Sequence, residues 1–210
     1  MSRLMHQILD HIPYDSLSDT EIAALVPGTP ASRYNQVKRA LASKDLIQIK
    51  RGLYQLSSRY RRQSVNVYIL SQKIYGPSYV SFESALSYHG LIPEAVHSIS
   101  SACVKRARIF DTPVGRFEYI PIPIMVFLED VERVEIDKQS FLMASPLKAL
   151  TDYVYVNRLD WIGIKPILES LRIDREDLKF KRKQIQELAD AYDSERVTRF
   201  LNGIKKDLKL

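Results

Sequence analysis

The stretch Thr29-Pro30-Ala31-Ser32-Arg33-Tyr34-Asn35-Gln36-Val37-Lys38-Arg39-Ala40-Leu41-Ala42-Ser43-Lys44 decides how this chain reads. Thr29 is a natural N-cap, and Pro30 suits the first helical position, where its missing N–H leaves no bond unmade. A helix is therefore predicted from Pro30 to about Lys44. At 100° per residue, Tyr34, Val37 and Leu41 share one face and are predicted to pack inward. Ser32, Asn35, Gln36, Arg39 and Ser43 fall opposite, with Arg33 and Lys38 on the flanks. Arg, Asn and Gln can form paired hydrogen bonds with guanine and adenine edges. A merely solvated helix would more often interleave Glu with Lys. No acid occurs between residues 30 and 44, where one would be repelled by phosphate.

The flanking segments give this helix a context. Leu4, Ile8 and His11/Ile12 recur at helical spacing, so residues 2–12 read as a short helix ended before Pro13. Ser18-Asp19-Thr20-Glu21 has the spacing of a capping box and starts a helix carrying Ile22, Ala23, Leu25 and Val26. Pro27-Gly28 stops it. Two short helices joined by a tight turn form a helix-turn-helix. Ile47-Gln48-Ile49-Lys50-Arg51-Gly52-Leu53-Tyr54-Gln55-Leu56 alternates on both sides of a basic tip and reads as a β-hairpin, the wing. Residues 1–62 are thus expected to form a winged helix-turn-helix that binds double-stranded DNA. Its expected contacts are Ser32, Arg33, Asn35, Gln36, Lys38 and Arg39 on the helix and Lys50 and Arg51 on the wing. Arg59, Arg61 and Arg62 would then form a basic linker, solvated or touching a further phosphate.

Charge distribution agrees with that expectation. The net charge is +6, yet residues 1–62 hold ten Lys/Arg against five Asp/Glu. Residues 63–142 hold seven against nine, and residues 143–210 fourteen against eleven. Basic charge gathered at one end is the electrostatic footprint of phosphate binding. Apolar residues make up 45% and charged ones 27%, an ordinary globular composition. No apolar run approaches the ~18 residues that span a bilayer. The first residues lack the apolar core of a signal peptide. The lone cysteine, Cys103, excludes a disulfide within the chain and a multi-cysteine metal site, and a reducing, cytoplasmic setting is expected.

Residues 63–210 read as a second domain. Residues 65–75 form an apolar stretch with helical character, closed by Gly76-Pro77. Ser81 to Gly90 reads as a helix capped by Ser81. Strand-like runs occur at 97–104, 107–110, 116–120, 131–136 and 140–143, with Asp111-Thr112-Pro113-Val114-Gly115 as a turn. Ser145-Pro146 starts another helix, and residues 161–208 look helical throughout. The fold class is α+β: a winged helix-turn-helix, then a small antiparallel sheet with several helices.

Ser84-Ala85-Leu86 with His89-Gly90-Leu91, and Ala144-Ser145-Pro146 with Lys148-Ala149-Leu150 and Asp152, are similar to recurring phrases of the AbiEi family of antitoxins from type IV toxin–antitoxin systems. The likeness extends over nearly the whole chain, the winged N-terminal part included. It implies a bacterial repressor of its own operon, with the operator as its DNA. It also implies functional pairing with a nucleotidyltransferase-like toxin, without a stable complex between the two. In that family the C-terminal domain carries antitoxicity.

Enzymatic chemistry finds little support. His6, His11, His89 and His97 are scattered, and none has a Cys, His or Asp at metal-ligand spacing. His89, at a helix end, is expected to cap carbonyls, and Cys103 to be a small buried hydrophobe. There is no phosphate-cradling glycine loop. A metal-dependent nuclease needs clustered carboxylates, for which Asp111, Glu118, Glu135, Asp137 and Lys138 are the candidates. Glu135-Ile136-Asp137-Lys138 sets the lysine beside the second acid, on the opposite strand face, so a solvated edge is expected. Tyr153, Tyr155, Trp161, Tyr192 and Lys179-Phe180-Lys181-Arg182-Lys183 offer a second nucleic-acid surface or, more simply, an aromatic core beside a solvated helix start. No catalytic residue, metal or cofactor is expected, nor any contact with a membrane. Two alternatives stay open: a winged-helix regulator whose second domain binds a small ligand or a protein, and a DNA-dependent hydrolase.

Overall fold

Proline, glycine and capping side chains cut the first part of the chain into short elements. The computed structural model describes residues 2–93, 98–136 and 139–210. It is mixed α/β and divides into two compact units, Met1–Ile74 with Asp111–Gly115, and Tyr75–Phe110 with Arg116–Leu210.

In the first unit, α1 (Arg3–His11) is capped by Ser2, whose hydroxyl accepts from the Met5 amide at 3.3 Å. The short strand β1 (Ser16–Ser18) leads into α2 (Asp19–Leu25). The capping box read from the sequence is formed: the Glu21 amide donates to Ser18 Oγ at 3.2 Å, and the Ser18 amide to Glu21 Oε2 at 2.6 Å. Then follow α3 (Pro30–Ala42), β2 (Leu46–Lys50), β3 (Leu53–Leu56) and α4 (Val67–Ile74). The strands form an antiparallel sheet in the order β1-β3-β2, with Leu17 opposite Tyr54 and Gln48 opposite Tyr54 across the other edge. Leu4, Met5, Ile8, Leu17, Ile22, Val26, Val37, Ala40, Leu46 and Leu56 form one core joining α1, α2 and α3 to the sheet.

The expected boundary after residue 62 differs from the observed division, because α4 belongs to the first unit. Lys73 donates to the Ser16 carbonyl at 3.0 Å and lies 4.4 Å over the Tyr14 ring. Arg62, expected in a linker, folds back instead, pairing with Asp15 at 3.3 Å and donating to the Leu9 carbonyl at 2.7 Å.

The second unit is built on a six-stranded sheet, in the order β6-β7-β5-β4-β9-β8. Its strands are β4 (Ser78–Val80), β5 (Ser98–Cys103), β6 (Arg108–Thr112), β7 (Gly115–Pro121), β8 (Val131–Ile136) and β9 (Gln139–Ala144). Its helices are α5 (Phe82–Tyr88), α6 (Pro146–Val156), α7 (Lys165–Leu171), α8 (Arg182–Ala191) and α9 (Glu195–Asp207). The expected small antiparallel sheet is corrected to a larger, mixed one. β4 runs antiparallel to β5 but parallel to β9, and β5 runs parallel to β7. β5 reaches its parallel partner β7 through β6, and β4 and β9 lie almost sixty residues apart, so local alternation registers neither parallel pair. Residues 161–208 are not helical throughout either: Arg172 adopts φ 53°, and a 3₁₀ turn at Arg175–Asp177 separates α7 from α8. Among the described residues no helix is long and apolar enough to cross a membrane.

Candidate nucleic-acid interface

The turn between α2 and α3 is set by backbone chemistry. Gly28 adopts φ 121°, a conformation that residues with a Cβ rarely take, and Thr29 Oγ1 accepts from the Ser32 amide at 3.2 Å. Arg33, expected at the DNA, donates instead to the Gly28 carbonyl and is half-buried, so it locks the turn.

The inward face of α3 is centred on Val37 and Ala40, with Leu41 half-buried beside them. Tyr34, expected in the core, is 66% exposed. The buried stripe runs through Val37 and Ala40 instead, about 60° apart around the helix and on the side away from Tyr34. Pro30, Ala31, Ser32, Tyr34, Asn35, Lys38, Arg39 and Ala42 are the exposed residues of this helix, and no acid is among them. Gln36 is half-buried on the flank that meets α1. Arg39 donates from Nε to the Asn35 carbonyl at 3.2 Å, which holds the start of its guanidinium along the helix.

The hairpin β2–β3 turns at Arg51-Gly52. Gly52 adopts φ 77°, a conformation that favours glycine, and a Cβ there would sit 3.0 Å from Asp19 Oδ2. The Asp19 amide donates to the Gly52 carbonyl at 3.0 Å, which ties the tip to the start of α2. Tyr54 on β3 has its hydroxyl pushed up to about 12, by burial first and then by its hydrogen bond to Asp19. Arg51 is exposed at the tip. Lys50 does not project as expected: it is half-buried, and its ammonium donates to the Ile74 carbonyl at the end of α4. Of the eight residues named from the sequence, Ser32, Asn35, Lys38, Arg39 and Arg51 thus stand exposed, while Arg33, Gln36 and Lys50 are drawn inward.

Sequence reasoning missed two features. One is Tyr34 on the exposed face. The other is a depression of about 250 Å³ lined by Ser2, Arg3 and Leu4 at the start of α1 and by Gln36 and Arg39 of α3. Their separation of more than thirty residues hid the pairing; only Arg3, an isolated cation at a helix start, gave a signal.

The second unit contains a buried polar cluster. Lys148 and Asp152, one turn apart on α6, lie 3.1 Å apart with side chains 0% exposed. Asp152 Oδ2 accepts from Tyr79 and from Ser81, each at 2.7 Å, and Oδ1 also accepts from Tyr192. Lys148 donates to the Val126 carbonyl at 2.9 Å and to Tyr192 Oη at 2.6 Å. Burial lowers the Lys148 pKa, which the adjacent carboxylate opposes, and burial raises those of Tyr79 and Tyr192. With its polar groups partnered and closed to solvent, the cluster fastens α6 to β4, to the turn at Ile124–Val126 and to the end of α8.

The remaining candidates are placed as follows. Ser81 stands at the N-cap of α5 but makes no capping bond, because its hydroxyl is committed to Asp152. His89 does not cap its own helix with its ring: Nε2 bonds the Ala144 carbonyl at 2.9 Å. Cys103 is buried, and burial pushes its thiol up. Glu118 pairs with Arg116 at 2.9 Å and Glu135 with Arg133 at 3.5 Å. Asp111 is exposed, while His97, Asp137 and Lys138 lie outside the described residues. Among the described residues no group of three His, Cys, Asp or Glu side chains could hold a metal ion. Tyr192 is core, Tyr153, Tyr155 and Trp161 are half-buried, and Lys179, Lys181, Arg182 and Lys183 are exposed around a buried Phe180.

The chain matches no model of a known protein family, and no curated protein sequence matches it significantly.

Proposed function

We propose that the first unit is a winged helix-turn-helix that binds double-stranded DNA, with α3 in the major groove and the β2–β3 hairpin as the wing. The observation that carries this reading is the exposed face of α3, where Ser32, Tyr34, Asn35, Lys38 and Arg39 stand together without a carboxylate. A major groove about 12 Å wide admits such a helix, and Asn35 offers both donor and acceptor to an adenine edge. Arg51 at the hairpin tip supplies a cation for a backbone phosphate.

The chain then acts in the cytoplasm as a sequence-specific repressor of its own operon. The phrases around Ser84–Leu91 and Ala144–Asp152 support an antitoxin of the AbiEi type, with the second unit counteracting a nucleotidyltransferase-like toxin without forming a stable complex. No catalytic role is assigned to it.

Selection from a random duplex pool with the full chain, followed by binding to the region upstream of its own gene, tests the DNA reading. Enrichment of one motif that also occurs upstream is the expected result. No enrichment, with equal affinity for all duplexes, would refute sequence-specific repression. Co-expression with a neighbouring nucleotidyltransferase-like gene tests the toxin reading: growth rescue by residues of the second unit is expected, and absence of such a gene would remove it.

A further inference from the structure

The depression between α1 and α3 has a chemistry distinct from the exposed crest of α3. Ser2, Arg3, Leu4, Gln36 and Arg39 line it, and its volume of about 250 Å³ far exceeds the ~10–15 Å³ that holds one water. Two arginines, Arg3 and Arg39, thus border one depression together with Gln36 and Ser2. Among the described residues neither Arg3 nor Arg39 has a carboxylate within ion-pair distance. The bond given to Arg39 uses Nε alone, so its two terminal nitrogens remain for a ligand. Cations left unpaired in a concave site call for an oxyanion, and planar guanidinium forks fit phosphate oxygens in pairs.

Position selects the source of that oxyanion. α3 packs against α1 on one flank and against β2 on the other. A helix lying in the major groove has a phosphate backbone along each side. The hairpin tip with Arg51 serves one strand, which leaves the α1 flank for the other. Gln36 is half-buried there and set back from the crest.

We infer that this depression seats a backbone phosphate of the bound duplex, held by Arg3 and Arg39 and lined by Ser2 and Gln36. The inference rests on the DNA-binding reading above and deepens it. Arg39 accordingly clamps the backbone, and base reading falls to Ser32, Asn35 and Lys38.

The test measures binding of the full chain to its selected duplex and to a scrambled duplex at several salt concentrations, by fluorescence anisotropy. Arg3→Ala and Arg39→Ala should each weaken both duplexes by the same factor and flatten the salt slope by about 0.9, and the pair together by about 1.8. Arg3→Lys should keep most of the slope, and Asn35→Ala should lose the selected duplex while sparing the scrambled one. Thermal melts confirm that each variant is folded. An unchanged slope in Arg3→Ala/Arg39→Ala, or a loss confined to the selected duplex, overturns the phosphate seat while leaving DNA binding intact. If the unaltered chain binds no duplex at any salt, the underlying reading has failed instead. A parallel titration uses inorganic phosphate at constant ionic strength. Weak, non-competing binding is expected; tight binding that displaces duplex would assign the depression to a free phosphate ligand and overturn the proposal.

Discussion

Replacing Asp152 by Ala should be among the most damaging single changes in the second unit, and its size can be worked from the cluster it anchors. The carboxylate accepts from Tyr79, Ser81 and Tyr192 and lies 3.1 Å from Lys148 Nζ. Alanine leaves three hydroxyls without that acceptor and an ammonium without its counter-charge, in a site where both partners are 0% exposed. Breaking a buried pair in this way costs about 3–5 kcal/mol. At roughly 4 °C per kcal/mol for a unit of this size, the melting temperature should fall by ~12–20 °C. The comparison is Asp160→Ala. Asp160 is 74% exposed and faces Arg196 at 3.3 Å and Arg199 at 3.5 Å, so its loss should cost about 0–1 kcal/mol. Adding Lys148→Met to Asp152→Ala removes the stranded charge and should restore part of the loss, although the hydroxyls stay underbonded. Calorimetry or circular dichroism melts of five proteins suffice: the parent, Asp152→Ala, Lys148→Met, their double variant and Asp160→Ala. If Asp152→Ala melts with Asp160→Ala, or if the double variant is as unstable as the two single losses summed, the ion pair does not hold these elements together.

Other outcomes follow from individual contacts. Tyr34→Ala should leave stability within about 0.5 kcal/mol of the parent while weakening duplex binding, and a large stability loss would return Tyr34 to the core. Lys50→Ala should lower stability and leave the salt slope of DNA binding unchanged, whereas Arg51→Ala should flatten the slope by about one without affecting the melt. In Glu21, burial raises the pKa, but hydrogen bonds from Ser18 and Tyr14 and the charge of Lys73 outweigh it and hold the carboxyl below its ordinary 4.5. A depressed folded pKa gives stability that is fully present above about 4.5 and lost as pH falls through the folded value. Glu21→Gln should therefore flatten the acid limb of a pH–stability curve, and an unaltered limb would deny Glu21 that role. Gly203→Ala would ordinarily favour a helix by ~1 kcal/mol, yet its Cβ would meet the Gly163 backbone. Overpacking of ~1–3 kcal/mol against immovable backbone should win, so a more stable variant would refute the close approach of α9 to that loop.

What the sequence made legible was governed by neighbours along the chain. The capping box at Ser18–Glu21, the Thr29-Pro30 start and the Arg51-Gly52 tip each depend on residues within a few positions, and all three stand in the fold. Side chains that bond backbone carbonyls, or residues far along the chain, give no such local signal. Arg33 and Lys50 look like free cations until the Gly28 and Ile74 carbonyls are placed beside them. Ser81 looks like a helix cap until Asp152, 71 positions away, takes its hydroxyl. β1 and β4, three residues each, are too short to show alternation, and the parallel pairings of β4 and β5 have no local signature.

The same distinction bears on the two phrases on which the proposed AbiEi resemblance rests. Of their residues, Ser84, Ala85, Leu86, Leu91, Ala144, Ser145, Lys148, Ala149, Leu150 and Asp152 are buried, while His89 and Pro146 are half-buried and Gly90 is exposed. The phrases also meet in space: His89 bonds the Ala144 carbonyl, and α5 packs on α6. Their residue types are thus explained by packing and by one satisfied ion pair, without reference to a partner. Buried phrases speak for how the second unit is assembled. Under the antitoxin proposal, any action on a toxin would run mainly through surface residues outside the buried positions of these phrases. A scan of exposed positions, with growth rescue as the readout and melts as the control, would therefore locate antitoxicity where substitutions in the phrases would only unfold the unit. If rescue instead survives every exposed substitution and fails only with unfolding, the second unit serves as a scaffold, and the antitoxin proposal loses its physical basis.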